Sequence, residues 1–243
     1  MKVPGQSPLP ARPELAAKPL GFARHPDNGV LEALKWLALL AMVIDHVGAL
    51  VFQQGKLSPT YLVGRLAYPI FAMVLACRLA QHAAARPISL APARRLLLWA
   101  LVSALPFGLA VGRAWPPDIF FTLALGAALC WLADANYRWP ARLALHLAAA
   151  VASLACDYFA PGVYLVAAMY RLQRRPSLGA LFVLLLCAAG LSLLNFAPIT
   201  LLAFALLPLA HCLRLRTPRL PAMAFYAFYP LHLGALAGWR LLH

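Results

Sequence analysis

The sequence predicts an all-α protein: a polytopic bundle of transmembrane helices with about nine spans, eight to ten as the range, and a cytoplasmic N-terminus. Three observations predict it. The 243 residues are 63% hydrophobic and 12% charged, with mean hydropathy +0.77, where soluble domains are about 45–50% apolar and about 25% charged. The apolar residues fall in runs close to the about 20 residues that a helix needs to cross a bilayer. The 21 Lys and Arg residues flank those runs instead of gathering on one face, as the positive-inside rule requires. Spread this way, the net charge of +14 argues against a nucleic-acid surface.

Residues 1–30 hold six prolines and four basic residues and no apolar core. They read as a flexible, basic, cytoplasmic tail with affinity for anionic lipid, not as a signal peptide. Residues 31–243 form one membrane domain. Its apolar runs, each bounded by charge, Pro or Gly, cover roughly 34–53, 61–81, 95–112, 118–134, 141–157, 160–172, 178–194, 198–213 and 222–241. The sixth is the shortest; its thirteen residues rise only about 20 Å against a hydrocarbon core of about 30 Å. Either it is a half-helix begun at Pro161-Gly162, or its ends lie further out.

Loop charge orders these runs. The tail and first boundary carry Lys2, Arg12, Lys18, Arg24 and Lys35. Even-numbered connections carry Arg78, Arg86, Arg94 and Arg95, then Arg138 and Arg142, then Arg171, Arg174 and Arg175, then Arg214, Arg216 and Arg219. The other side holds only Lys56, Arg65, Arg113 and Arg240. Nine crossings, with the C-terminus outside, follow from that asymmetry. The five cysteines lie in apolar runs without a CxxC pair or His residues at ligand spacing, so they read as packing residues, and no metal site is expected.

The chain holds only seven carboxylates, and four lie in or beside apolar runs. Ionisable groups at membrane depth are costly and rare, so they mark candidate sites. On the predicted topology Asp45 stands about 17 Å up the first span, His46 one step higher, and Arg65 about 6 Å below the outer face of the second. Tyr68 continues the Arg65 face. Positions 118, 122, 126, 130 and 134 read Asp, Thr, Gly, Cys, Asp, a stripe suited to a helix interface or a cavity wall. Asp157 ends the fifth span beside Tyr158. Tyr226, Tyr229 and His232 recur three apart on the last. Each has a plainer reading: Asp45 and Arg65 as a helix-to-helix ion pair, His46 as a packing residue, Asp118 as a helix cap, the tyrosines as aromatic core.

Leu34-Lys35-Trp36-Leu37-Ala38 followed by Met42-Val43-Ile44-Asp45-His46-Val47-Gly48 resembles the opening of the TraX family, the conjugative pilin acetylases. Gly64-Arg65-Leu66-Ala67-Tyr68-Pro69-Ile70-Phe71-Ala72, Ile119-Phe120-Phe121-Thr122-Leu123 with Gly126, Asp157-Tyr158 with Gly162, and Phe228-Tyr229-Pro230-Leu231-His232-Leu233 are similar to its later motifs. The likeness runs in order from about residue 33 to 236. One departure stands out: Ser103-Ala104-Leu105-Pro106-Phe107 occurs where Ser-Glu-x-Pro-Phe is expected.

The resemblance implies an inner-membrane N-acetyltransferase that takes acetyl from acetyl-CoA and places it on the N-terminal amine of a pilin subunit during pilus assembly. An amine must lose a proton as it attacks, which the chemistry assigns to His46 as general base, with His232 as the alternative, and a carboxylate, Asp45 or Asp157, would fix the imidazole. Arg65 either neutralises Asp45 or holds the oxyanion. Tyr68, Asp118, Thr122, Tyr226 and Tyr229 would line the substrate pocket. Arg94, Arg95, Arg171, Arg174 and Arg175 would meet the phosphates of the donor, although positive-inside retention explains those arginines equally well. Two other functions fit the same polar residues: a proton-coupled transporter and a non-catalytic scaffold for pilin assembly.

Overall fold

The computed structural model describes residues 26–112 and 118–243. The predicted tail up to residue 25, with Lys2, Arg12, Lys18 and Arg24, lies outside the described residues, as does Arg113. Among the described residues there are ten α-helices and no strand. They are α1 (Asn28–Leu50), α2 (Pro59–Gly64), α3 (Ala67–Ala85), α4 (Ala91–Val111), α5 (Ile119–Asp134), α6 (Trp139–Ser153), α7 (Phe159–Arg174), α8 (Leu178–Asn195), α9 (Leu202–Cys212) and α10 (Ala222–Leu242). Every apolar run of the sequence is helical and in its predicted order. Four segments are long and apolar enough to cross a membrane: Asn28–Leu50, Pro59–Ala85, Ala91–Val111 and Leu178–Asn195. Ile119–Asp134 and Pro198–Cys212 are apolar but shorter.

Local chemistry sets the helix limits. Asp27 caps α1, its side chain accepting from the Gly29 N–H at 2.9 Å, and α1 therefore begins inside the stretch read as tail. Ser58 caps α2 and Ser177 caps α8 in the same way. α2 and α3 form one segment broken at Arg65 and Leu66. The cause is Pro69: it has no N–H for the Arg65 carbonyl, and its ring crowds the residue four before it. α6 ends at Ser153, earlier than the sequence suggests, so Asp157 sits in the turn between α6 and α7.

The shortest predicted span turns out to be the middle of the bundle. α7 packs on α3, α5 and α8 and buries Val163, Leu165, Val166 and Tyr170 completely or almost so. A helix surrounded by protein needs neither full bilayer length nor apolar residues all round, which is why its signal was weak. Its contact with α5 is close because Gly126 lies on it: a Cβ there would stand 2.8 Å from Val166 Cβ. The small and polar stripe of α5 is thus a helix interface. α10 lies along α4, and α1 against α2 and α3. α6 lies at the edge, burying only Ala149 and Ser153. Leu98, Leu101, Leu105, Leu185 and Leu186 are exposed, giving an apolar outer surface of the kind lipid covers.

The two ends differ. At one, Glu32 of α1 binds Lys35 at 2.6 Å and Arg78 of α3 at 2.7 Å, and accepts from the Leu220 N–H at 3.2 Å. Beside it a groove of about 830 Å³ is lined by Arg86, Arg142, Arg171, Arg174, Arg175 and Asp134, among others. This is the basic end. The other end holds Asp45, Arg65, Asp118 and Asp157.

Candidate functional site

Asp45 and His46 are neighbours on α1, so their side chains point about 100° apart. Each therefore meets a different helix. Asp45 turns to α2, where its carboxylate accepts from Arg65 in a charged hydrogen bond. Gly64 makes room for this, since a Cβ there would run into the Asp45 side chain. The guanidinium also lies 4.3 Å from the centroid of the Tyr61 ring, a cation–π contact. Arg65 reaches Asp45 because the Pro69 break leaves it at the C-terminal cap of α2.

His46 turns to α10. Its Nδ1 lies 2.7 Å from Nε2 of His232, with the ring planes 6° apart. His232 Nδ1 lies 3.3 Å from the Phe228 carbonyl. A carbonyl only accepts, so His232 carries its proton on Nδ1 and offers the Nε2 lone pair. His46 must then donate from Nδ1, which leaves its own Nε2 as the proton acceptor. The tautomer of His46 is set by a second histidine, where the sequence suggested a carboxylate.

Both pairs open on one cavity of about 220 Å³, lined by Asp45, His46, Arg65, Tyr68, Asp157 and Tyr229 with apolar neighbours. Six predicted site residues thus share a chamber, and His232 is bonded to one of them, His46. Asp157 reaches it from the turn before α7. Tyr68 is fully buried and stacks on Tyr158 at 4.1 Å between centroids. Its hydroxyl and the Arg65 Nε–H are buried without a hydrogen-bond partner. Buried donors are nearly always satisfied, so each of these two is left able to donate to an acceptor atom. Gly162 of α7 lets Tyr68 sit there: a Cβ would come within 3.1 Å of the hydroxyl and 3.2 Å of Thr122 Cγ2.

The remaining predicted residues lie elsewhere. Asp118 caps α5, accepting from the Phe120 N–H at 3.0 Å, and accepts from Ser103 of α4 with its other oxygen; it ties two helices together and does not line the chamber. Thr122 is buried behind Tyr68. Tyr226 lines a separate pocket near the basic end, with Arg95 beside its hydroxyl. Arg94 is exposed at the start of α4. Arg171, Arg174 and Arg175 line the large basic groove, where neither Arg94 nor Arg95 joins them. Lys35 and Arg78 counted only as loop charges in the sequence, and their grouping with Glu32 was missed; the clue was a carboxylate, Glu32, at the start of an apolar run.

Fold and chamber define a helical membrane protein built around a buried ionisable site. The family model described as TraX protein matches residues 30–240, and the chain belongs to the TraX family. Two proteins named Protein TraX are similar to it. One from Escherichia coli is 29% identical over 218 residues, and one from Escherichia coli (strain K12) is 27% identical over 220 residues; each alignment covers 86% of both chains. No solved structure matches the chain.

Proposed function

We propose that this chain is an integral inner-membrane acetyltransferase that moves acetyl from acetyl-CoA to the N-terminal amine of a conjugative pilin subunit. In this reading all nine helical segments cross the membrane, the basic end faces the cytoplasm with the N-terminus, and the chamber lies in the outer half. One observation carries it: His46, whose Nε2 is left to accept a proton, lines the same chamber as Arg65 and Tyr68, each of which has a buried donor without a partner. Acyl transfer to an amine needs those groups.

Acetyl-CoA supplies the activated carbonyl. His46 Nε2 takes the proton that the amine loses as its nitrogen bonds to the carbonyl carbon. His232 stabilises the resulting imidazolium through the bond to Nδ1. Arg65 Nε–H and Tyr68 Oη–H hold the oxygen while it carries negative charge. As the C–S bond breaks, His46 returns its proton to the leaving sulfur, so the products are an amide and a free thiol. Asp45 keeps Arg65 in place. An α-amine has a pKa near 7.7–8.0, so a fraction is already unprotonated at neutral pH and the base is needed for the proton lost in attack.

The test is direct. Purified protein, labelled acetyl-CoA and pilin should give label on the pilin N-terminus, and a transporter or scaffold would leave the pilin unlabelled. Removing a positioned general base lowers rates by about 10²–10⁴-fold, and His46→Ala should fall in that range.

A further inference from the structure

Three cavities form a line through the bundle. The first, of about 220 Å³, opens at the basic end, with Glu32, Lys35, Arg78 and Arg219 around its mouth. The second, of about 20 Å³, shares Phe71, Leu123 and Phe225 with the first. It shares Met42, Ile119 and Tyr229 with the His46 chamber. The wide basic groove at Arg171, Arg174 and Arg175 shares no lining residue with any of the three. Size and charge single out that groove, but connectivity singles out the seam between α1, α3, α5 and α10.

We infer that the acyl donor threads this seam: its phosphates stay at the Lys35, Arg78 and Arg219 mouth, its arm runs through the narrow neck, and its thioester arrives beside His46. The inference rests on the proposed transfer for its choice of ligand, a thioester on a long arm that ends in phosphates. The chemistry changes along the path to suit such a molecule. Three cations face one carboxylate at the mouth, which leaves net positive charge for phosphates. Lys35 is held both by Glu32 and over the Phe225 ring, 5.1 Å from its centroid, so cation and neck wall are mechanically joined. The neck is aromatic and apolar. Phe71 meets Phe225 edge-on at 5.8 Å, and Phe120 meets Tyr229 at 5.0 Å. Tyr229 in turn lies 6.4 Å from His46 between ring centroids. At about 20 Å³ the neck holds little more than one water. The aromatic side chains must therefore swing aside to admit the arm, and they separate the two ends when it is absent. That would let the donor react at the far end without a leak.

Substituted cysteines test the path. Cys77, Cys130, Cys156 and Cys187 are buried and Cys212 is exposed, so Leu123→Cys is made in a Cys212→Ser background and reacted with a membrane-impermeant thiol reagent in oriented vesicles. The expected result is labelling from the basic end, slowed by unacetylated CoA, about tenfold at ten times its dissociation constant. Arg219→Glu should weaken that protection. Phe225→Cys, on the other wall of the neck, gives the same reading if Leu123→Cys does not accumulate. Labelling indifferent to CoA, or labelling from the far end alone, overturns the path. So does protection that is lost in Arg174→Glu and kept in Arg219→Glu, which would move the phosphates to the groove. Protection without acetylation of pilin by the unaltered protein would leave the path standing and remove the proposed transfer.

Discussion

Replacing Arg65 by Gln should cost more stability than replacing Asp45 by Asn, by about 0.5–2 kcal/mol, although both changes break the same bond. The side chains are 16% and 11% exposed, respectively, so neither is bathed in water. Unit charges about 4 Å apart attract by about 4 kcal/mol at an effective dielectric of about 20. Removing one partner of a buried pair typically costs about 3–5 kcal/mol, because the other charge is left uncompensated. Arg65→Gln leaves the Asp45 carboxylate in that position, and the full cost is expected. Asp45→Asn keeps Arg65 against the Tyr61 ring and loses only the ion pair, about 3–5 kcal/mol; Arg65→Gln loses the ring contact as well, a further loss of about 0.5–2 kcal/mol. The double variant should be more stable than the two losses summed imply, by about 0.5–3 kcal/mol of coupling. Reversible unfolding of the four proteins in mixed detergent micelles measures the cycle. Losses that add within about 0.5 kcal/mol would refute the coupling. The double variant also separates structure from chemistry: it should fold and fail to acetylate, since Arg65 is gone from the chamber. Full activity in it would reduce Arg65 to a clamp.

His232→Ala should lower kcat about ten- to a hundredfold, the worth of a hydrogen bond to a charged group at about 1.5–3 kcal/mol, with KM for the acceptor held; steady-state kinetics checks both. Gly162→Ala should destabilise the fold by about 1–3 kcal/mol through overpacking against Tyr158, Tyr68 and Thr122, read as a lower melting temperature in detergent. Asp118→Ala should cost about 0.5–2 kcal/mol as a lost cap, while the acetylation rate per folded molecule stays that of the unaltered protein. Tyr68→Phe removes one unsatisfied donor and nothing from the packing, so its kcat should drop with no loss of stability.

Much of this site was legible in the sequence, and the part that was not has a physical reason. Asp45, Arg65 and Asp157 announced themselves by standing in apolar runs. The Asp45–Arg65 pair was one of two readings of those residues, but the break that brings them together was not read: 61–81 stood as one span, although a proline inside it carries the signal. The His46–His232 bond joins residues 186 apart in sequence, and no periodicity reports such a contact. Tyr226 shares a helix with His232 but lies six positions earlier, about 9 Å lower, which moves it from the chamber to the pocket at the basic end. The five arginines offered to the donor divided because charge counts place loops on a side and say nothing of which loops meet. Ala104, where a carboxylate was expected, is exposed on α4 and outside the chamber lining, so its absence takes nothing from the residues around His46.

In the proposed reaction the imidazole of His46 removes the proton from the attacking amine. A single-turnover reaction compares the unaltered protein with His46→Ala, each loaded with acetyl donor and pilin, by following the intact mass of the pilin. One added acetyl group is expected with the unaltered protein and, within the same time, none with the folded variant. An equal mass gain in both would contradict it.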